Sequence, residues 1–190
     1  MIKVIYRKFR KIVMGRKFGA FGSGSKIVHP VIRVSNYKNI FIGDNVLIKK
    51  NARIQPVLRW GNTNYSPQMI FEDGVVVEQN FHITCAKKVV IGKNSSINCN
   101  VLITDIDHDY SDVSKPILQQ DLIVTETVIG EDCLIGAGAK IMAGSKIGKH
   151  SIIGANAVVT SNIPEYCVAV GIPARVIKKY NFEKKEWERV

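Results

Sequence analysis

The chain has 190 residues, 46% hydrophobic and 8% aromatic, which suits one ordered domain with a continuous core and excludes an extended disordered chain. No apolar run approaches the length of a membrane span, and the start lacks the uninterrupted apolar segment of a secretion signal, so the reading is a cytoplasmic protein. The formal charge of +11 is unevenly placed, because residues 1–43 hold ten Lys or Arg and no Asp or Glu, and the partner of that charge must touch the N-terminal quarter.

In chain order, Ile2, Ile5, Phe9, Ile12 and Val13 fall on one helical stripe, with Lys3, Arg7, Lys8, Arg10 and Lys11 around the rest. Residues 1–25 are therefore predicted as a basic amphipathic helix and a turn. The stripe can pack on the end of the fold, or it can hold the protein at the inner face of a membrane rich in anionic lipid; the two are compatible. Gly19, Gly22 and Gly24 are not a phosphate loop, because Ser25 stands where a lysine must follow Gly24. They are expected to turn the chain out of the helix.

A repeat then begins weakly near Val28 and becomes clear at Ile42-Gly43-Asp44-Asn45-Val46, Ile48 and Ile54. Residues 56–68, with Pro56, Trp60, Gly61, Tyr65 and Pro67, break it and are read as a loop; Trp60 and Tyr65 could stack on a sugar face or anchor the loop to its own domain. The register resumes near Ile70 and Val76 and holds through Ile91, Ile97 and Ile103. A second excursion, residues 104–127, separates Ile103 from Ile129 by 26 residues, which is no multiple of six. From there Ile129, Ile135, Ile141, Ile147, Ile153 and Val159 recur at every sixth position, with small residues at Cys133, Ala139, Ser145, Ser151 and Ala157. Neither 3.6 nor 2 explains a strict six, whereas a solenoid of short flat faces joined by tight corners does. The fold class is an all-β solenoid over residues 28–177, with a short helix or tail over 178–190. Cys85, Cys99, Cys133 and Cys167 form no C-x-x-C pair and are read as reduced and structural.

The chemistry concentrates at Thr104-Asp105-Ile106-Asp107-His108-Asp109-Tyr110. Deprotonating a hydroxyl near neutral pH calls for a histidine, and a nearby carboxylate can orient its ring; spacing alone does not choose among Asp105, Asp107 and Asp109. The three aspartates imitate the start of a calcium loop, but Tyr110 replaces the required glycine and Pro116 stands where the bidentate glutamate belongs, so no metal is expected. His82 lies on a repeat face as an acceptor contact or a solvated strand residue, and His29 and His150 read as structural.

The run Ile129-Gly130-Glu131-Asp132-Cys133-Leu134, Ile135-Gly136-Ala137-Gly138-Ala139, Val158-Val159-Thr160 and Gly171-Ile172-Pro173-Ala174-Arg175-Val176-Ile177 resembles the hexapeptide-repeat acyltransferases. It is most similar to galactoside and maltose O-acetyltransferases and to sugar O-acetyltransferases of surface-polysaccharide biosynthesis, over roughly residues 40–178. The resemblance implies a left-handed parallel β-helix, a homotrimer with sites between subunits, and acetyl-CoA as co-substrate. It gives His108 the role of general base, and Ala137, Ala155, Thr160, Arg175 and Lys178 the coenzyme A contacts; Ser161 departs from the Lys that many relatives carry after the Thr. Transfer would be direct, with a backbone N–H near Gly136 or Gly144 facing the oxyanion. The expected acceptor is a sugar or glycan hydroxyl, the candidate contacts being His82, Trp60 and Tyr65. An amino sugar carried on a nucleotide is the alternative acceptor, and a noncatalytic scaffold the alternative class; nucleic acid is not expected, because the charge lacks an interleaved aromatic surface.

Overall fold

The computed structural model describes residues 16–190. The amphipathic helix expected over residues 2–14 lies outside the described residues. Six coils of three short strands each wind into a prism with three parallel faces. The first face stacks Ala20–Phe21, Ile40–Ile42, Gln68–Phe71, Lys88–Ile91, Thr127–Ile129 and Lys146–Ile147. The second stacks Lys26–Ile27, Leu47–Ile48, Val76–Val77, Ser96–Ile97, Leu134–Ile135 and Ile152–Ile153, and the third Arg33–Val34, Arg53–Pro56, His82–Cys85, Leu102–Thr104, Lys140–Ile141 and Val158–Val159. This is the left-handed β-helix that the resemblance implies.

The aliphatic residue of each hexapeptide points into the prism and stacks on its counterpart one coil away. Ile129 pairs with Ile147, Ile135 with Ile153 and Ile141 with Val159, and all six are buried. Such a stack buries several apolar side chains per coil, and each stabilises the fold by roughly 1.5–3 kcal/mol. The corners are closed by residues that tolerate a left-handed backbone. Asn51, Asn80, Asn100 and Asn156 take positive φ at the corner between the second and third faces, and Asn51 to Asn80 to Asn100 form a side-chain ladder with contacts of 3.2 and 3.1 Å. Gly138 substitutes for Asn there because an added Cβ would overlap Asn156 Oδ1.

Two boundaries differ from the sequence reading. The solenoid begins earlier than residue 28: Phe21 and Ile27 already stack in its first coil, and Phe18 is buried against Phe21 and Tyr37, with ring centroids 5.2 and 5.0 Å apart. Gly19, Gly22 and Gly24 are thus part of the first coil rather than a lead-in, Gly22 N–H donating to Ile42 O at 2.8 Å. Residues 178–190 are not a helix. Cys167–Gly171 joins the second face parallel to Ile152–Ile153, and Ala174–Asn181 and Glu186–Arg189 follow it as antiparallel strands, Tyr180 pairing with Trp187. The physical reason is local: Asn181 Oδ1 accepts the N–H groups of Glu183 and Lys184, which turns the chain, and the β-prone residues before it pair back on the solenoid.

Candidate active site

Both excursions leave the solenoid at the corner between the third and first faces, one after Arg53–Pro56 and the other after Leu102–Thr104. The coil between them turns this corner tightly through Ala86 and Lys87. That tight corner presents three consecutive backbone N–H groups, and Asp105 fills them. Its oxygens accept from Ala86 N at 2.8 Å and from Lys87 N and Lys88 N at 2.7 Å each, with Cys85 Sγ at 3.3 Å. The carboxylate is buried, and burial together with its charge drives the Cys85 thiol far above its usual range. Asp105 therefore staples the root of the second excursion to the neighbouring coil. None of these contacts is to His108.

Beyond this staple the second excursion forms a two-stranded ribbon, Ile106–His108 against Leu122–Val124, in which His108 pairs with Leu122. The first excursion forms its own small hairpin, Arg59–Trp60 against Thr63–Asn64. The two excursions meet. Trp60 Nε1 donates to Gln120 O at 2.9 Å, and Thr63 Oγ1 donates to Asp121 Oδ1 at 2.8 Å. Gln120 is buried, its Oε1 accepting Asp112 N at 3.0 Å and its Nε2 donating to Asp112 O and Lys115 O, so the tip of the ribbon is shaped from within.

His108 lies half-buried at this junction. Its ring stands 5.1 Å from the Trp60 ring at an interplanar angle of 65°, and its Nδ1 is buried without a partner. Asp107 accepts the backbone N–H of His108 at 2.8 Å, and Asp109 accepts Ser111 N at 2.8 Å. The Ser111 hydrogen bonds hold the Asp109 carboxyl below its ordinary range. No ion pair among the described residues includes His108. Beside the junction, a cleft of about 380 Å³ has Asn62, Thr63, Asp109, Asp112, Lys115 and Asp121 in its wall.

The remaining expected site residues are distributed as follows. Trp60 and Tyr65 are anchored on the fold rather than presented as free platforms: Trp60 holds Gln120, and Tyr65 is half-buried with its hydroxyl buried and unpaired. His82 sits on the third face between Arg53 and Leu102, with Nε2 buried and unpaired; burial first, and the Arg53 charge second, lower its pKa, which favours a neutral ring. Ala137 and Ala155 stack on consecutive coils of one corner, Asn156 N donating to Ala137 O at 2.8 Å. Arg175 pairs with Val170, which adjoins Gly154 beside Ala155, and Lys178 follows on the same strand. Thr160 lies beyond Val158–Val159, away from that corner. The suggested oxyanion donors are occupied, Gly136 N by Ile153 O at 2.8 Å and Gly144 N by Thr125 O and Thr127 Oγ1 at 3.1 Å each. Gln120 and Asp121 carry no motif that a sequence could flag. Among the described residues no group of three or more His, Cys, Asp or Glu could hold a metal ion.

Residues 126–161 match the family described as bacterial transferase hexapeptide (six repeats). That match takes in 36 of the 190 residues. Over 128 residues this chain is 38% identical to a protein of Escherichia coli (strain K12) named as a lipopolysaccharide biosynthesis O-acetyl transferase, WbbJ, the alignment taking in 64% of this chain and 65% of that one. The match thus spans slightly less than two thirds of that relative's length. A solved maltose O-acetyltransferase from Clostridium difficile 630 is 26% identical, with a TM-score of 0.60 over 90% of this chain and 75% of that one. The same fold recurs in AntD, an N-acyltransferase from Bacillus cereus solved in complex with dTDP and 3-hydroxybutyryl-CoA, at a TM-score of 0.74 and 16% identity over 92% of this chain and 90% of that one.

Proposed function

We propose that this chain transfers an acetyl group from acetyl-CoA to a hydroxyl of a sugar or glycan, with His108 as the general base. The observation that carries the reading is the placement of His108: a half-buried imidazole at the meeting point of two excursions on a repeat that otherwise carries structural side chains. The relationship to a protein named as a lipopolysaccharide O-acetyl transferase supports the acetyl donor and the glycan acceptor.

The chemistry follows from the ring. With Nδ1 buried, the other nitrogen is the one able to meet an acceptor hydroxyl. It takes the hydroxyl proton as the oxygen attacks the thioester carbonyl; the C–S bond then breaks, and the departing thiolate recovers the proton from the imidazolium. No side chain needs to be acylated. Coenzyme A carries a diphosphate, a ribose phosphate and an extended amide arm. The small corner of Ala137 and Ala155 admits the arm, and Arg175 and Lys178 supply cations beside it. Thr160 belongs to the same assignment through the resemblance.

The site is completed between subunits of a homotrimer, as the repeat family implies. No helix among the described residues is long and apolar enough to cross a membrane. The protein acts from the cytoplasm, and residues 1–17 bring it to anionic lipid: deletion of that segment is expected to abolish pelleting with anionic vesicles, and unchanged pelleting would sink this part. For the catalytic role, His108→Ala is expected to lower turnover by roughly a hundredfold or more while coenzyme A binding stays intact. Near-normal turnover in His108→Ala would refute the assignment.

A further inference from the structure

His108 needs something to fix its ring and to face the charge that appears when it accepts a proton. The carboxylates next to it in sequence do not do so. Asp105 is held by the Ala86, Lys87 and Lys88 amides, Asp107 accepts the His108 backbone N–H and Asp109 the Ser111 N–H, and no ion pair among the described residues joins any of them to the ring. What does touch the ring is Trp60.

We propose that Trp60 is the positioning residue of His108, holding the imidazole edge-on to the indole so that one ring nitrogen faces the acceptor. The proposal rests on the reading of His108 as the base. Three features make Trp60 suited to this. Its ring lies 5.1 Å from the imidazole, and an angle of 65° is an edge-to-face contact rather than a stack. Its own orientation is pinned, because Nε1 donates to Gln120 O, sixty positions away in sequence, on the segment that leads into the strand paired with His108. That segment is tied again by Thr63 to Asp121, so hairpin and ribbon move as one piece. This aromatic contact also gives the transient imidazolium a neighbour where no ion pair among the described residues reaches the ring. Trp60 thereby acts through the base, where the sequence alone left open a sugar platform or an anchor on its own domain.

The test begins with a measurement that needs no acceptor. Diethyl pyrocarbonate acylates accessible imidazoles, and peptide mass spectrometry reads each histidine separately. In Trp60→Leu the His108 ring is released and is expected to react several-fold faster than in the unaltered protein, whereas Trp60→Phe keeps an aromatic ring but loses the hydrogen bond to Gln120 O and is expected to fall between the two. His29 and His150, both exposed, serve as controls and should not change in either variant. Equal His108 rates in all three proteins overturn the proposal. The catalytic arm uses thiol release from acetyl-CoA with maltose as the acceptor probe. Trp60→Leu is expected to lower turnover about tenfold or more with the maltose KM unchanged, since a displaced base costs rate rather than binding. Trp60→Phe should restore part of it, and Trp60→Leu should have no further effect in a His108→Ala background. A loss carried by KM alone, or an equal loss in the His108→Ala background, overturns it. If maltose is not accepted, the acylation rates alone decide the positioning; if His108→Ala retains full turnover, the functional reading falls whatever those rates are.

Discussion

Asp105 and His108 stand three positions apart in one motif and do unrelated work. Asp105 closes three backbone N–H groups at a corner that has no other acceptor for them. Its removal leaves buried donors unpaired, at roughly 1–3 kcal/mol for each such group. Asp105→Ala is expected to lower the urea midpoint markedly. Asp105→Asn, though the same shape, should lose much of the same stability, since its NH₂ would face amide hydrogens; a midpoint unchanged in both variants would contradict the staple. His82 supplies a pH dependence with a definite sign. Its folded pKa is lowered by burial and by Arg53, so between that value and the ordinary histidine value the unfolded chain holds a proton that the folded one does not. Stability should therefore fall as pH drops through and below about 6.5, and His82→Gln should flatten that fall in a series of thermal melts. The sequence made the histidine and its aspartates visible by residue type. Which aspartate did what was not legible, because the three N–H groups that claim Asp105 lie at residues 86–88, fixed only once the coils stack.

The two excursions show what a broken period can and cannot reveal. Both were readable in the sequence, the first from the Pro, Gly and aromatic residues that break the period and the second from a 26-residue spacing that is no multiple of six. Their mutual contact was not readable: Trp60 to Gln120 and Thr63 to Asp121 join residues about sixty positions apart with no pattern in common. Gln120 is the keystone of the ribbon tip, making three hydrogen bonds through its side chain. Gln120→Ala is expected to raise amide hydrogen exchange across residues 106–124 and leave the coils as protected as before; equal protection of the ribbon would remove Gln120 from this role. The C-terminal segment failed as a sequence reading for a different reason. Its Glu and Lys spacing, including the Lys184 to Glu188 pair at 2.7 Å, suits a helix, but Asn181 makes a turn and Tyr180 packs on Trp187 with centroids 5.4 Å apart, so pairing along the solenoid overrides local propensity.

The whole molecule is a stack whose coils contact only their neighbours, which is why a six-residue rule could be read from the chain before any contact was known. The early coil was harder to read because Phe21 and Ile27 are separated by a glycine-rich corner. Replacing a central inward residue should be costly: Ile97 is buried between Val77 and Ile135, and Ile97→Ala is expected to destabilise by about 2–5 kcal/mol in denaturant titration. A change below 1 kcal/mol would mean that the stack is not what holds the prism together. A rigid prism gives the two excursions a fixed base.

The central claim is that this prism binds an acyl-CoA for transfer, and titration calorimetry of coenzyme A against the purified protein tests it without any knowledge of the acceptor. Saturable binding at about one site per chain, retained in His108→Ala and weakened in Arg175→Ala, is the expected result. No detectable binding to a folded protein would contradict the transferase and leave a scaffold in its place.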